Sequence, residues 1–117
     1  MKKQFSILSF KYAFEGITAA LREEPNLKFH FLTGAVVVAL SLLLQISTQD
    51  WIIVIILIGF VIAIELTNTA IEVIVDGFTD KLHPSAKMAK DISAGAVLIS
   101  AITATIISFL IFLPYLS

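Results

Sequence analysis

Trp51-Ile52-Ile53-Val54-Ile55-Ile56-Leu57-Ile58-Gly59-Phe60-Val61-Ile62-Ala63-Ile64 runs straight into Glu65-Leu66-Thr67-Asn68-Thr69-Ala70-Ile71-Glu72-Val73-Ile74-Val75-Asp76. The first part is almost unbroken apolar sequence and needs lipid or a buried core. The second part carries three carboxylates and one amide. Each residue of a helix turns by about 100°. With Glu65 set at zero, Asn68 falls at about −60°, Glu72 at about −20° and Asp76 at about +20°. The four lie on one stripe about 80° wide, and the remaining surface is mostly Ile, Val, Leu and Ala. Glu65 and Glu72 stand ~10.5 Å apart along the axis, so they can act on different parts of one extended substrate. An ionisable group inside a membrane segment is costly and marks a functional site by default.

The rest of the chain fits a membrane protein. Of its 117 residues, 58% are hydrophobic and only 15% charged, against roughly a quarter charged in a soluble domain. Mean hydropathy is +0.97. This predicts an all-α integral membrane protein, with residues 1–117 forming one domain. A net charge of −1 supplies no basic field for nucleic acid. The absence of cysteine excludes disulfide and thiolate chemistry. Met1-Lys2-Lys3-Gln4-Phe5 is not followed by a signal-peptide core and reads as a mature N-terminus.

Residues 4–23 predict an amphipathic helix, with Phe5, Leu8, Tyr12, Ile17 and Leu21 set against Lys11, Glu15, Arg22 and Glu23. Its apolar run is too short to span a bilayer. It fits an interfacial helix, a helix packed on the protein, or both. Residues 1–24 form this surface unit and 25–117 a three-span bundle. Glu23-Glu24-Pro25-Asn26 is the corner between them, since a residue before proline leaves the helical region and proline suits a first helical position. Glu24 is then either a cap of the next helix or a functional carboxylate.

The first span is predicted from about Leu27 to Ile46, followed by a polar turn over 45–50. The second starts at Trp51, placed as an interfacial anchor, and runs to about Phe78. The third starts near Ser85 and ends near Leu113, with Pro114 closing it. Lys2, Lys3, Lys11, Arg22 and Lys28 precede the first span, none lies in the 45–50 turn, and Lys81, Lys87 and Lys90 flank the second loop. The positive-inside rule then puts the N-terminus and the charged end in the cytoplasm and the C-terminus outside.

At that end gather Glu24, Asn26, Lys28 and His30, the Glu65 stripe, and Lys87, Lys90 and Asp91. Carboxylates and an amide suit Mg²⁺, which commonly takes one or two protein carboxylates plus phosphate oxygens. Lysines suit phosphate, and a carboxylate at lipid depth can take a proton from an alcohol. Together these are the parts of a phosphoryl-transfer site. Blander readings exist. Lys87 and Asp91 have the spacing of an ordinary helix pair, and His30 reads best as a satisfied interfacial histidine. A P-loop and a kinase glycine-rich loop are both absent.

Glu65-Leu66-Thr67-Asn68-Thr69-Ala70-Ile71-Glu72 with Asp76, and Ala89-Lys90-Asp91-Ile92-Ser93-Ala94-Gly95-Ala96-Val97-Leu98, resemble the two signatures of the small prokaryotic diacylglycerol kinase family. Tyr12-Ala13-Phe14-Glu15-Gly16-Ile17 and Glu24-Pro25-Asn26-Leu27-Lys28-Phe29-His30 resemble its N-terminal blocks. Within the family, the Glu24–His30 block and the run from His83-Pro84 to Asp91 look more like the undecaprenol kinases of Gram-positive bacteria than the diacylglycerol kinase of Gram-negative ones.

The resemblance implies a homotrimer in the bacterial cell membrane, with active sites shared between protomers, MgATP as donor and a lipid alcohol as acceptor. It implies Glu65 as general base and Asn68 as support for the transferring group. Glu24 and Glu72 become the Mg²⁺ carboxylates. Tyr12, Lys28, Asp76, Lys90 and Asp91 join them around ATP, and Ala94 joins Glu65 at the acceptor. Lys28 stands where relatives often carry arginine, and its point charge lacks a bidentate phosphate contact. The expected reaction is transfer to undecaprenol, with diacylglycerol as the second acceptor. A proton-coupled transporter fits less well, because transporter sites usually lie near the midplane. A structural or adaptor protein leaves the Glu65 stripe without a reason.

Overall fold

The computed structural model describes residues 7–79 and 83–117. These form α1 (Ile7–Glu23), α2 (Pro25–Leu44), α3 (Thr48–Phe78) and α4 (Pro84–Leu116). The predicted start of the first helix at residue 4 lies outside the described residues. Among the described residues, α2, α3 and α4 are long and apolar enough to cross a membrane. At 20, 31 and 33 residues they rise roughly 30, 46 and 50 Å. α3 and α4 therefore outrun a hydrocarbon core of about 30 Å.

Three cross-helix pairs, Asp76 with Lys90, Asn68 with Ser93 and Asp50 with Tyr115, show α3 and α4 running antiparallel. α2 lies along α3 with Gly34 against Ile58, where a Cβ on Gly34 would come within 3.2 Å of the Ile58 Cγ2. α1 touches α2 and α3 and buries none of its own residues. The buried apolar cluster Ile46, Val54, Ile111 and Phe112 sits at the end away from the Glu24 corner. Large apolar side chains such as Phe29, Leu43, Ile55, Ile99 and Leu110 point outward, as they would toward lipid or further protein.

The Glu24 corner is a single residue, with φ −121° and ψ 105° and Pro25 in the first turn of α2. Its backbone N–H donates to the Ala20 carbonyl at 2.9 Å. Glu24 thus holds the N-cap position of α2, and its side chain makes no capping hydrogen bond.

Three predicted boundaries are corrected. α2 ends at Leu44 rather than Ile46, because Gln45 turns left-handed at φ 53°. Its N–H donates to Leu42 O at 3.3 Å and that of Ile46 to Ser41 O at 3.4 Å, the paired bonds of a Schellman ending. α3 starts at Thr48 rather than Trp51, because Ser47 caps it by accepting from the Asp50 N–H at 3.1 Å. Pro114 does not close α4, which continues to Leu116. So close to the end, proline removes one backbone bond. Tyr115 anchors that last turn by accepting from the Ser47 N–H at 2.9 Å and donating to Asp50 Oδ2 at 2.6 Å.

Candidate active site

The sequence stripe on α3 becomes a gradient of exposure. Glu65 is 3% exposed, Asn68 and Glu72 are half-buried, and Asp76 is exposed. The buried end faces α2, where His30 Nε2 lies 3.3 Å from Glu65 Oε2. His30 is satisfied, as expected, and its partner is the deepest carboxyl group of the stripe. Thr69 turns its hydroxyl back onto the Glu65 carbonyl at 3.0 Å, leaving the Glu65 carboxylate to His30.

The middle of the stripe is tied to α4. Ser93 Oγ donates to Asn68 Oδ1 at 2.5 Å, and Asn68 Nδ2 donates to Glu72 Oε1 at 3.0 Å. At the exposed end Lys90 Nζ donates to Asp76 Oδ1 at 2.8 Å. Lys90 and Ser93 are three residues apart and so share a helix face. Asp91 is turned away from that face and pairs with Lys87 at 2.7 Å, both of them exposed. Lys28, Tyr12 and Ala94 are exposed, and no hydrogen bond joins them to the α3 stripe among the described residues.

The electrostatics around Glu72 are unbalanced. Its carboxylate lies in the field of the Glu24, Asp76 and Glu65 carboxylates, with Lys90 as the opposing charge. Such a surplus of negative charge fits a divalent cation. Among the described residues, no three His, Asp or Glu side chains converge into a metal cage. Mg²⁺ in general takes one or two protein carboxylates and is completed by phosphate oxygens. Among the described residues, Glu24 makes no side-chain capping bond and the hydrogen bond to Glu72 falls on its Oε1.

A cavity of about 520 Å³ opens between α2, α3 and α4. Phe29, Val37, Ile58, Phe109 and Phe112 are among its walls, and His30 lies in its lining. The apolar cavity and the His30–Glu65 pair therefore share one side chain.

Two contributors escape a reading of the sequence. Ser93 lies inside the second signature, and its spacing of three from Lys90 was the available signal. The pairing of His30 with Glu65 leaves no such trace, because nothing along the chain says which residue of one helix meets which of another.

The profile of the family described as prokaryotic diacylglycerol kinase matches residues 11–112. The chain is 46% identical over 108 residues to an undecaprenol kinase of Bacillus subtilis, covering 92% of this chain and 88% of that one. It is 36% identical over 109 residues to a diacylglycerol kinase of Synechocystis, covering 92% and 62%. It is 32% identical over 96 residues to a diacylglycerol kinase of Pseudomonas aeruginosa, covering 80% and 78%. A profile spanning most of the sequence, together with these identities over most of the chain, shows that the protein belongs to the prokaryotic diacylglycerol kinase family.

Proposed function

We propose that this protein is a membrane lipid kinase that transfers the γ-phosphate of MgATP to the hydroxyl of undecaprenol, giving undecaprenyl phosphate. The observation that carries the reading is the buried Glu65–His30 pair, with an apolar cavity on one side and a phosphate-suited polar end on the other. The 46% identity to an undecaprenol kinase supports the choice of acceptor. The diacylglycerol kinases among the relatives keep diacylglycerol as the second candidate.

The acceptor's hydroxyl enters from the cavity and meets Glu65. Glu65 takes the hydroxyl proton as the alcohol oxygen bonds to the γ-phosphorus and the bond to the ADP oxygen breaks. Asn68 supports the transferring group with its amide. Lys90, leaving Asp76, and Lys28 add positive charge to the phosphates, with Tyr12, Asp76 and Asp91 placed around the nucleotide. Glu24 and Glu72 would hold Mg²⁺, which would neutralise phosphate charge when bound. Ala94 is assigned to the acceptor with Glu65.

Residues 1–117 act as one domain. α1 lies along the membrane surface, with Lys11, Glu15, Thr18 and Arg22 on its polar side. The three-span bundle puts the Glu24 corner in the cytoplasm and the C-terminus outside, in the bacterial cell membrane. Three protomers assemble, which gives the outward apolar faces a partner and completes sites that one thin bundle leaves open.

Label transfer from MgATP to undecaprenol and to diacylglycerol, assayed side by side in detergent, tests the reading. Label chiefly on undecaprenol is expected. Label chiefly on diacylglycerol would keep the chemistry and change the acceptor, and label on neither would overturn the kinase reading.

A further inference from the structure

Ser93 departs from the usual habit of a helical serine. Such a hydroxyl commonly turns back onto its own helix, as Ser100 does at the Val97 carbonyl and Thr105 at the Ala101 carbonyl, each at 2.8 Å. Ser93 instead leaves α4 and donates to Asn68 Oδ1 on α3 at 2.5 Å. It is only 6% exposed, which limits competition from water for that bond.

The direction of this chain of bonds is dictated by its far end. An ionised carboxylate only accepts. The Asn68 amide must therefore turn its NH₂ to Glu72, which leaves its carbonyl toward Ser93, and the Ser93 hydroxyl must donate. Flipping the amide would set two acceptors against each other at Glu72. An asparagine amide rotates in a broad torsional well, and here it is held at both ends. One Nδ2 hydrogen is committed to Glu72 Oε1. The second hydrogen, and the Oε2 of Glu72, keep fixed directions for a ligand.

We propose that Ser93 is a positioning residue for the phosphate end of the site: through Asn68 it holds the Glu72 carboxylate in the orientation that receives the divalent cation. This rests on the reading of Glu72 as a metal carboxylate. Ser93 touches neither metal nor substrate and acts only through Asn68.

The test is Mn²⁺ affinity, read by electron paramagnetic resonance on the full chain in detergent with a non-transferable ATP analogue. Wild type, Ser93→Ala and Ser100→Ala are compared. Ser100 is 1% exposed, sits seven residues along α4 and, among the described residues, bonds within its own helix, so it controls for lost packing. Loss of a partner behind a metal ligand weakens affinity by about 10- to 100-fold. Ser93→Ala should lie at the low end, about tenfold weaker, with Ser100→Ala unchanged. Exchange of the Asn68 side-chain amide protons should also quicken in Ser93→Ala. Wild-type affinity in Ser93→Ala would overturn the proposal, and so would an equal loss in Ser100→Ala. If the wild type bound Mn²⁺ no better with the analogue than without it, the metal reading of Glu72 would fall, and this proposal with it.

Discussion

His30 Nε2 and Glu65 Oε2 meet at 3.3 Å, joining the first turns of α2 to the most buried carboxylate of α3. A carboxyl group so far from water needs a polar partner, and among the described residues His30 is the side chain paired with it. In the proposed reaction the acceptor's hydroxyl arrives at this pair, because His30 lines the apolar cavity.

Removing the imidazole should therefore be felt in folding as well as in transfer. His30→Ala leaves the Glu65 carboxyl group without that partner and should destabilise the protein by about 1–3 kcal/mol. His30→Gln restores an N–H near the same place and should recover much of the loss. Thermal unfolding in detergent measures both; wild-type stability in His30→Ala would show that the pair is incidental.

Lys90 should behave in the opposite way. Its pair with Asp76 is largely exposed, and exposed ion pairs contribute little to folding. Lys90→Met should leave the unfolding temperature close to wild type yet cut phosphoryl transfer by about 100-fold, the scale of losing one charge-stabilising donor. Intact transfer with lowered stability would make Lys90 a structural cation.

Tyr115 allows the far end of the bundle to be separated from the chemistry. Its hydroxyl bridges the Ser47 N–H and the Asp50 carboxylate. Tyr115→Phe leaves both without that partner and should cost about 2 kcal/mol, with phosphoryl transfer per folded molecule unchanged. Unaltered unfolding would show that water replaces the hydroxyl without loss.

Much of this was legible in the chain because helical periodicity is strict. The stripe Glu65, Asn68, Glu72 and Asp76, the corner at Glu24-Pro25 and the Lys87–Asp91 pair all follow from spacing within one segment. The misplaced boundaries each turned on one residue's local chemistry: the left-handed Gln45, the Ser47 cap, and Pro114 too near a helix end to stop it. Ser47-Thr48-Gln49-Asp50 has a capping pattern that could have placed the start of α3. His30 with Glu65 and Ser93 with Asn68 depend on how helices rotate against one another, which the pattern of one segment leaves undetermined.

The most direct measurement is transfer from labelled MgATP to undecaprenol by wild type and by Glu65→Gln, with nucleotide binding followed in the same samples. The amide keeps the shape of the carboxylate and removes its capacity to take a proton. Transfer should fall by about 100- to 10,000-fold, the usual contribution of a positioned base, while MgATP binding stays near wild type. Transfer at the wild-type rate in Glu65→Gln would contradict the account at its centre.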